Sequence, residues 1–220
     1  MSAPVLKDYD PPNVPLDIIH VDDDILVLNK PNGLLSVPGR TEEKFDCLAT
    51  RAEAEFTGVR IVHRLDMETS GVIIMARHMD ALRHLGRQFE DRKTDKVYEA
   101  LVYGNLARDE GEVDLPLLVD WPNRPKHRVD FENGKPAFTR YKVIERTEKT
   151  TRVALYPVTG RSHQLRVHML SLGHAIIGDN LYAEGEAFTL ADRLCLHARE
   201  LTVTHPDSGE SLTFVAPVPF

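Results

Sequence analysis

The sequence predicts an α+β fold in which the strands of a mostly antiparallel sheet outnumber the helices. Three observations lead there. Short apolar or alternating runs recur along the chain, bounded by Gly, Pro, Asn and Asp. Several come in pairs around brief polar turns, the pattern of antiparallel hairpins. Segments with helical spacing are few and do not alternate regularly with strands, which argues against the βα repeat of a doubly wound sheet. The expected organisation is an extended N-terminal arm over residues 1–15 and one domain over residues 16–220.

The elements follow in order. Prolines in residues 1–15 forbid helix there, and that stretch has no apolar core of a signal peptide. Residues 16–21 and 25–30 are apolar runs around Asp22, Asp23 and Asp24, a hairpin pattern closed by Pro31-Asn32-Gly33. Lys30 and Arg40, near turns, are weak candidates for phosphate contact. Residues 46–56 read as a helix with Leu48 and the alanines inward. Residues 71–76 form an unbroken apolar run, a buried strand. Residues 78–93 place Met79, Leu82, Leu85 and Phe89 on one helical stripe, with Arg83, His84 and Arg87 opposite. Residues 96–103 alternate strictly, with Tyr98, Ala100 and Val102 on the inward side. Residues 112–118, 138–144, 151–157, 194–204 and 212–215 supply the remaining strands. Residues 159–173 read as a helix with a Ser or Thr cap and a closing Gly173.

Composition narrows the function. The formal net charge of -7 argues against a protein that coats nucleic acid nonspecifically, while leaving room for a local basic surface. Cys47 and Cys195 belong to no CxxC pair and read as reduced core thiols, which fits the cytoplasm. No apolar run approaches the length of a membrane span.

Residues 60–76 carry the densest chemistry. His63, Arg64, Asp66, Glu68, Thr69 and Ser70 crowd a polar loop that runs straight into the buried strand, an arrangement that holds a reactive side chain on a rigid base. In an extended segment alternate residues share a side, so Arg64 and Asp66 project together. A surface ion pair feeding a strand is the other reading of the same residues.

Two further stretches are unusual. Residues 121–128 hold the sole tryptophan, Trp121, two stiffening prolines and the basic residues Arg124, Lys126 and Arg128. This is the best local candidate for a surface that contacts phosphate and stacks exposed bases of folded RNA. Arg161, His163, Arg166 and His168 crowd the start of the helix over 159–173. Arginine is unfavourable at a helix N-terminus, so a carboxylate or phosphate partner is expected there. His163 and His168 are five apart rather than four, which speaks against a shared metal ligand face.

Four ordered segments together resemble one family. His63-Arg64-Leu65-Asp66 with Thr69-Ser70-Gly71 is similar to the signature of the RluA-type pseudouridine synthases. Asn29-Lys30-Pro31 with Gly33, Lys96-Val97-Tyr98-Glu99-Ala100, and the run from Thr159 to His168 match the same family in the same order. The resemblance covers nearly everything from Leu16 to Pro217. It implies a mixed, mostly antiparallel sheet with flanking helices and a central active-site cleft. It implies Asp66 as the catalytic aspartate, Tyr98 as the active-site tyrosine and Arg166 as the basic partner of Asp66. Arg64 would fill the space left by a flipped uridine. His63 and Arg161 within these motifs, and Arg124 and Lys126 in the basic loop, would contact RNA. No metal, organic cofactor, membrane or obligate protein partner is implied. Trp121-Pro122-Asn123-Arg124-Pro125-Lys126 and the short chain look most like the family member that acts on both a transfer RNA anticodon stem-loop and a 23S-type ribosomal RNA hairpin.

Three other readings stay open on the residues alone. One is a synthase for a single RNA. Another is an RNA-binding module without chemistry. The third is a hydrolase with Asp66 as nucleophile, because Glu68 falls on the same side of an extended segment.

Overall fold

In the computed structural model, which describes residues 9–220, the reason for each strand is visible in its burial. The elements in chain order are β1 (Ile18–Val21), β2 (Ile25–Lys30), α1 (Leu48–Glu55), β3 (Arg60–Ile61), β4 (Ser70–Ala76), α2 (Met79–Glu90), β5 (Asp95–Tyr103), β6 (Glu110–Asp114), β7 (Leu117–Val119), β8 (His127–Val129), β9 (Phe138–Arg146), β10 (Thr150–Pro157), α3 (Gln164–Ser171), α4 (Glu186–Thr189), β11 (Leu196–Thr204) and β12 (Ser211–Val215). The described residues fall into two compact units. One comprises residues 9–96 with His197–Phe220, the other Val97–Leu196.

In the first unit the strand order is β1-β2-β4-β11, with β12 on β11 and β3 on β4. β2 and β4 pair antiparallel along their length, from Ile25 opposite Ala76 to Lys30 opposite Gly71. β11 runs parallel to β4, with His197 opposite Ser70 and Ala198 opposite Gly71, so the sheet is mixed. Every residue of β4 is buried, as the unbroken apolar run from Gly71 to Ala76 demands. Ile25 and Val27, Val72, Ile74 and Ala76, and Leu201 and Val203 alternate onto one face. There they pack with Ala81 and Leu85 of α2 and with Phe214. Each large side chain so buried contributes about 1.5–3 kcal/mol. The stripe read for α2 needs one correction. Met79 is 45% exposed at the first turn, and the buried face is Ala81, Leu85 and Gln88. Gln88 belongs there because its amide both donates to the Thr204 carbonyl, at 2.8 Å, and accepts from the Thr204 N–H, at 2.7 Å.

Residues 1–8 of the expected arm lie outside the described residues. Its remainder is tied down. The Tyr9 hydroxyl donates to the Asp46 carbonyl at 2.7 Å and accepts from the Leu35 N–H at 3.1 Å. Arg51 donates to the Pro12 carbonyl at 2.8 Å while gripping Asp46 at two points.

The second unit contains the antiparallel order β5-β10-β9-β6. A separate hairpin pairs β7 with β8, Leu117 opposite Val129. Its strands flank the basic stretch read over residues 121–128, and the strand read over residues 112–118 is split between β6 and β7. Leu117, Ala137 and Val167 form a small core beneath it, flanked by Val129 and Tyr182. α3 begins at Gln164, later than the run from residue 159 suggested, and no Ser or Thr side chain caps it. His163 precedes it in the left-handed conformation, φ 56°. Gly173 closes it as expected, with φ 84°.

Candidate active site

The loop before β4 is held from below by the residues after β2. Leu65 is buried, and its backbone is fixed twice by Ser36, whose hydroxyl donates to the Leu65 carbonyl at 2.7 Å and accepts its N–H at 3.1 Å. Arg64 is exposed and Asp66 half-buried on either side of it, the alternation an extended segment dictates. The alternation ends there. The Thr69 N–H donates to the Asp66 carbonyl at 3.0 Å, closing a turn with Met67 and Glu68 at its corners. Glu68 therefore does not continue the extended row of Arg64 and Asp66, which removes the spacing argument for a carboxylate pair.

Lys30 is completely buried. Its ammonium donates to the carbonyls of Leu34 at 2.6 Å, Pro31 at 2.9 Å and Met67 at 3.0 Å. The Gly33 N–H also reaches the Met67 carbonyl, at 3.0 Å, and the Asn32 amide donates to the Glu68 carbonyl. Lys30 is thus a clamp on the turn that starts at Asp66, not a surface contact for phosphate. A buried ammonium is tolerated only when its hydrogen bonds are met, and three carbonyls converge to meet them.

Two more residues of the signature fix β4 itself. Gly71 has φ 114°, and a Cβ there would stand 2.2 Å from the Ala198 carbonyl oxygen, so only glycine lets β11 approach. Ser70 hydrogen-bonds His197 Nδ1 at 2.8 Å beside that contact. β3 and β11 share the edge of β4 opposite β2. On the β3 side His63 continues the ladder, its Nε2 accepting the Ile74 N–H at 3.1 Å. The imidazole also stacks on Phe89, with 4.5 Å between ring centres. Burial, with the Lys96 charge second, pushes the His63 pKa down to about 3. The accepting Nε2 agrees with a neutral ring. His63 therefore has a scaffolding task, and Arg64 beside it is the residue offered to solvent.

Tyr98 and Arg166 belong to the second unit. Tyr98 lies half-buried on β5 opposite Leu155, on the same side as fully buried Ala100 and Val102. Arg166 answers the electrostatic puzzle of its helix start. Its Nε donates to Asp179 Oδ2 at 2.7 Å and its Nη2 to Asp179 Oδ1 at 2.6 Å. Asp179 also accepts the N–H groups of Leu181 and Tyr182. Sequence reading did not find Asp179. The signal was the demand for a carboxylate near Arg166, with Gly178-Asp179-Asn180 ending an apolar run.

Six successive residues of α3, Gln164 to Met169, are buried. The polar ones each have partners. Gln164 bonds Thr159, Arg161 N–H, Phe138 carbonyl and Thr139. His168 bonds Thr139 and the Leu115 carbonyl.

Tyr182 joins this helix to the basic hairpin. Its hydroxyl accepts the His127 N–H and meets His163 Nδ1, both at 2.7 Å. Its ring lies under the Arg166 guanidinium, 5.2 Å away, and 6.0 Å from the Lys126 ammonium. Arg161 is exposed and donates to the Pro136 carbonyl. Arg124 is exposed and lies over Trp121. Lys126, Arg124 and Arg128 thus share one hairpin anchored to the Arg166 helix.

Among the described residues, Asp22, Asp24 and His205 bring possible metal-ligand atoms within 4.8 Å of one another. Their bonds show a closed turn instead. His205 Nδ1 accepts from the N–H groups of Asp207 and Ser208, so Nε2 donates to Asp22. His78 likewise accepts from Ala81 and turns Nε2 to Asp24. Burial would raise the Asp22 pKa, but hydrogen bonds from His20, Ile25, Asp24 and His205 together hold it at about 2. No helix among the described residues is long and apolar enough to cross a membrane.

The family model for RNA pseudouridylate synthase matches residues 24–171, which contain Asp66, Tyr98 and Arg166. The dual-specificity RNA pseudouridine synthase RluA of Escherichia coli is 55% identical over 217 residues, 98% of this chain and 99% of that protein. Its namesake in Pasteurella multocida is 52% identical over the same shares. The solved structure of human RNA pseudouridylate synthase domain containing 1 superposes with a TM-score of 0.81 at 30% identity, covering 96% of this chain and 87% of that one. A family model over two thirds of the chain, a mixed sheet shared with a solved relative and relatives that match 98% of the chain lead to one assignment: the chain belongs to the RNA pseudouridylate synthase family.

Proposed function

We propose that this enzyme isomerises specific uridines in two structured RNAs, a transfer RNA anticodon stem-loop and a large-subunit ribosomal RNA hairpin. The observation that carries this reading is the 55% identity, over 98% of the chain, to a relative named as a dual-specificity RNA pseudouridine synthase. Asp66 is the reacting carboxylate in this proposal, Tyr98 the proton acceptor and Arg166 the cation of the site. The reaction breaks the glycosidic C–N bond, joins the sugar carbon to the ring carbon, and moves one proton from that carbon to nitrogen. No atom or electron is gained overall, so the reaction itself calls for no redox partner. Asp66 starts it as a nucleophile or as the base of an elimination. A free tyrosine hydroxyl has a pKa of about 10, so Tyr98 needs a base or close positioning to take the ring-carbon proton.

A stacked uridine must first leave its loop, at a cost of a few kcal/mol. Exposed Arg64 is suited to take its place in the stack. Arg161, Arg124 and Lys126 contact the RNA backbone, and His63 orders the strand behind Asp66. Residues 16–220 serve as the catalytic domain, and the two reduced, buried cysteines suit work in the cytoplasm.

The test is to incubate the purified protein separately with an anticodon stem-loop and with a ribosomal hairpin, then map pseudouridine in each. Product in both RNAs is expected. Product in one alone overturns dual specificity, and product in neither overturns the reading.

A further inference from the structure

The basic hairpin carries a feature that folding does not require. Trp121 is 65% exposed, so it forgoes most of the burial gain that so large an apolar side chain would bring in a core. One face is already furnished: the Arg124 guanidinium lies 3.9 Å from the ring centre, held by a hydrogen bond from its Nε to the Trp121 carbonyl at 3.2 Å. The loop is built in advance. The Asp120 N–H donates to the Lys126 carbonyl at 2.8 Å, the Asn123 N–H to the Asp120 carbonyl at 2.9 Å, and the Lys126 N–H back to the Asn123 carbonyl at 3.0 Å. The Asn123 amide also bonds the Asp120 carboxylate. Little order is therefore left to impose when a ligand arrives. Arg124 stands beside the indole and the same hairpin carries Lys126 and Arg128, in a chain whose net charge is -7. Arg128 is engaged by Asp130 at 2.9 Å, while Lys126 leans over Tyr182. Cations beside a preset, exposed aromatic ring fit an unstacked nucleobase with its flanking phosphates.

We propose that Trp121 is a stacking platform for one unpaired base of the substrate RNA, with Arg124 stiffening the ring from its other side. This rests on the RNA pseudouridine synthase reading and adds to it a residue that recognises a base by its face rather than its edges. Stacking of this kind tolerates any base, which suits an enzyme with more than one substrate.

Trp121 is the sole tryptophan, so its emission reports on this ring alone. The wild-type protein is titrated with an RNA stem-loop that it converts. The emission is expected to fall saturably, and W121A is expected to raise KM about tenfold, with W121F restoring most of it. The salt dependence of KM is expected to keep its slope in W121A and to flatten in K126A, because stacking releases no counterions. Unchanged emission at saturating RNA that is still converted overturns the proposal. So does W121A with KM unaltered. Quenching by both the anticodon stem-loop and the ribosomal hairpin with pseudouridine formed in neither supports the stacking and overturns the isomerase reading instead.

Discussion

Arg166 and Asp179 form a two-point ion pair with both side chains almost wholly buried, 2.6 and 2.7 Å between their atoms. It explains how arginine is tolerated at the start of a helix whose dipole opposes it. It also fixes the guanidinium plane, because a bidentate pair sets orientation as well as charge.

Asp179→Asn keeps the shape and an oxygen for the Leu181 and Tyr182 N–H groups, yet removes the charge opposite Arg166. Removing one member of a buried pair destabilises strongly. Urea unfolding is expected to show a loss of about 3 kcal/mol. A loss below ~1 kcal/mol would mean the pair contributes no more than a surface bridge.

Lys30→Met leaves the Pro31, Leu34 and Met67 carbonyls without the ammonium they share. Hydrogen bonds to a charged donor are worth ~1.5–3 kcal/mol each, partly recovered by repacking. The expected result is about 3 kcal/mol less stability, together with a lower kcat, since the turn beginning at Asp66 loosens. Wild-type kcat in a destabilised Lys30→Met protein would separate the clamp from the chemistry.

Gly71→Ala forces a Cβ to 2.2 Å from the Ala198 carbonyl oxygen at a positive φ. Backbone strain and overpacking each cost about 1–3 kcal/mol. The thermal midpoint is expected to fall steeply or the protein to become insoluble. A midpoint within a degree or two of wild type would refute the close approach of β4 and β11.

Acid should destabilise the protein partly through His63. Its folded pKa, about 3, lies below the ordinary histidine value of 6.5. The neutral ring is favoured in the fold, so this contribution is fully present above pH 6.5. It is lost as the pH falls from 6.5 toward 3, because the unfolded chain takes up a proton that the folded chain refuses. Burial lowers the His168 pKa also, adding to the same slope. Unfolding free energies measured from pH 7 to pH 4 are expected to decline, and less steeply in His63→Phe. An identical slope in the variant would contradict the neutral, buried ring.

The strands and the four family segments were legible because they rest on period-two alternation and on residues adjacent in sequence. β2, β4, β9 and β10 lie within a few residues of their expected bounds. What escaped depends on contacts between distant segments. Nothing local says that three carbonyls converge on Lys30, so it read as a turn residue. Nothing in a row of polar residues says that the chain turns at Asp66, so Glu68 seemed to share its side. Prolines and basic residues hid β8 and its pairing with β7, because three-residue strands are too short to show alternation. Asp179 lies 13 residues from Arg166 in a segment with no periodicity.

The central claim is that the Asp66 carboxylate does the chemistry on uridine. Asp66→Asn preserves size and leaves the Thr69-to-Asp66 turn bond, which is backbone, in place. The direct measurement is single-turnover pseudouridine formation by Asp66→Asn on an RNA stem-loop, alongside its unfolding midpoint. The account predicts an unchanged midpoint with product formation reduced by about a thousandfold or more. Near-wild-type product from a folded Asp66→Asn protein would contradict it.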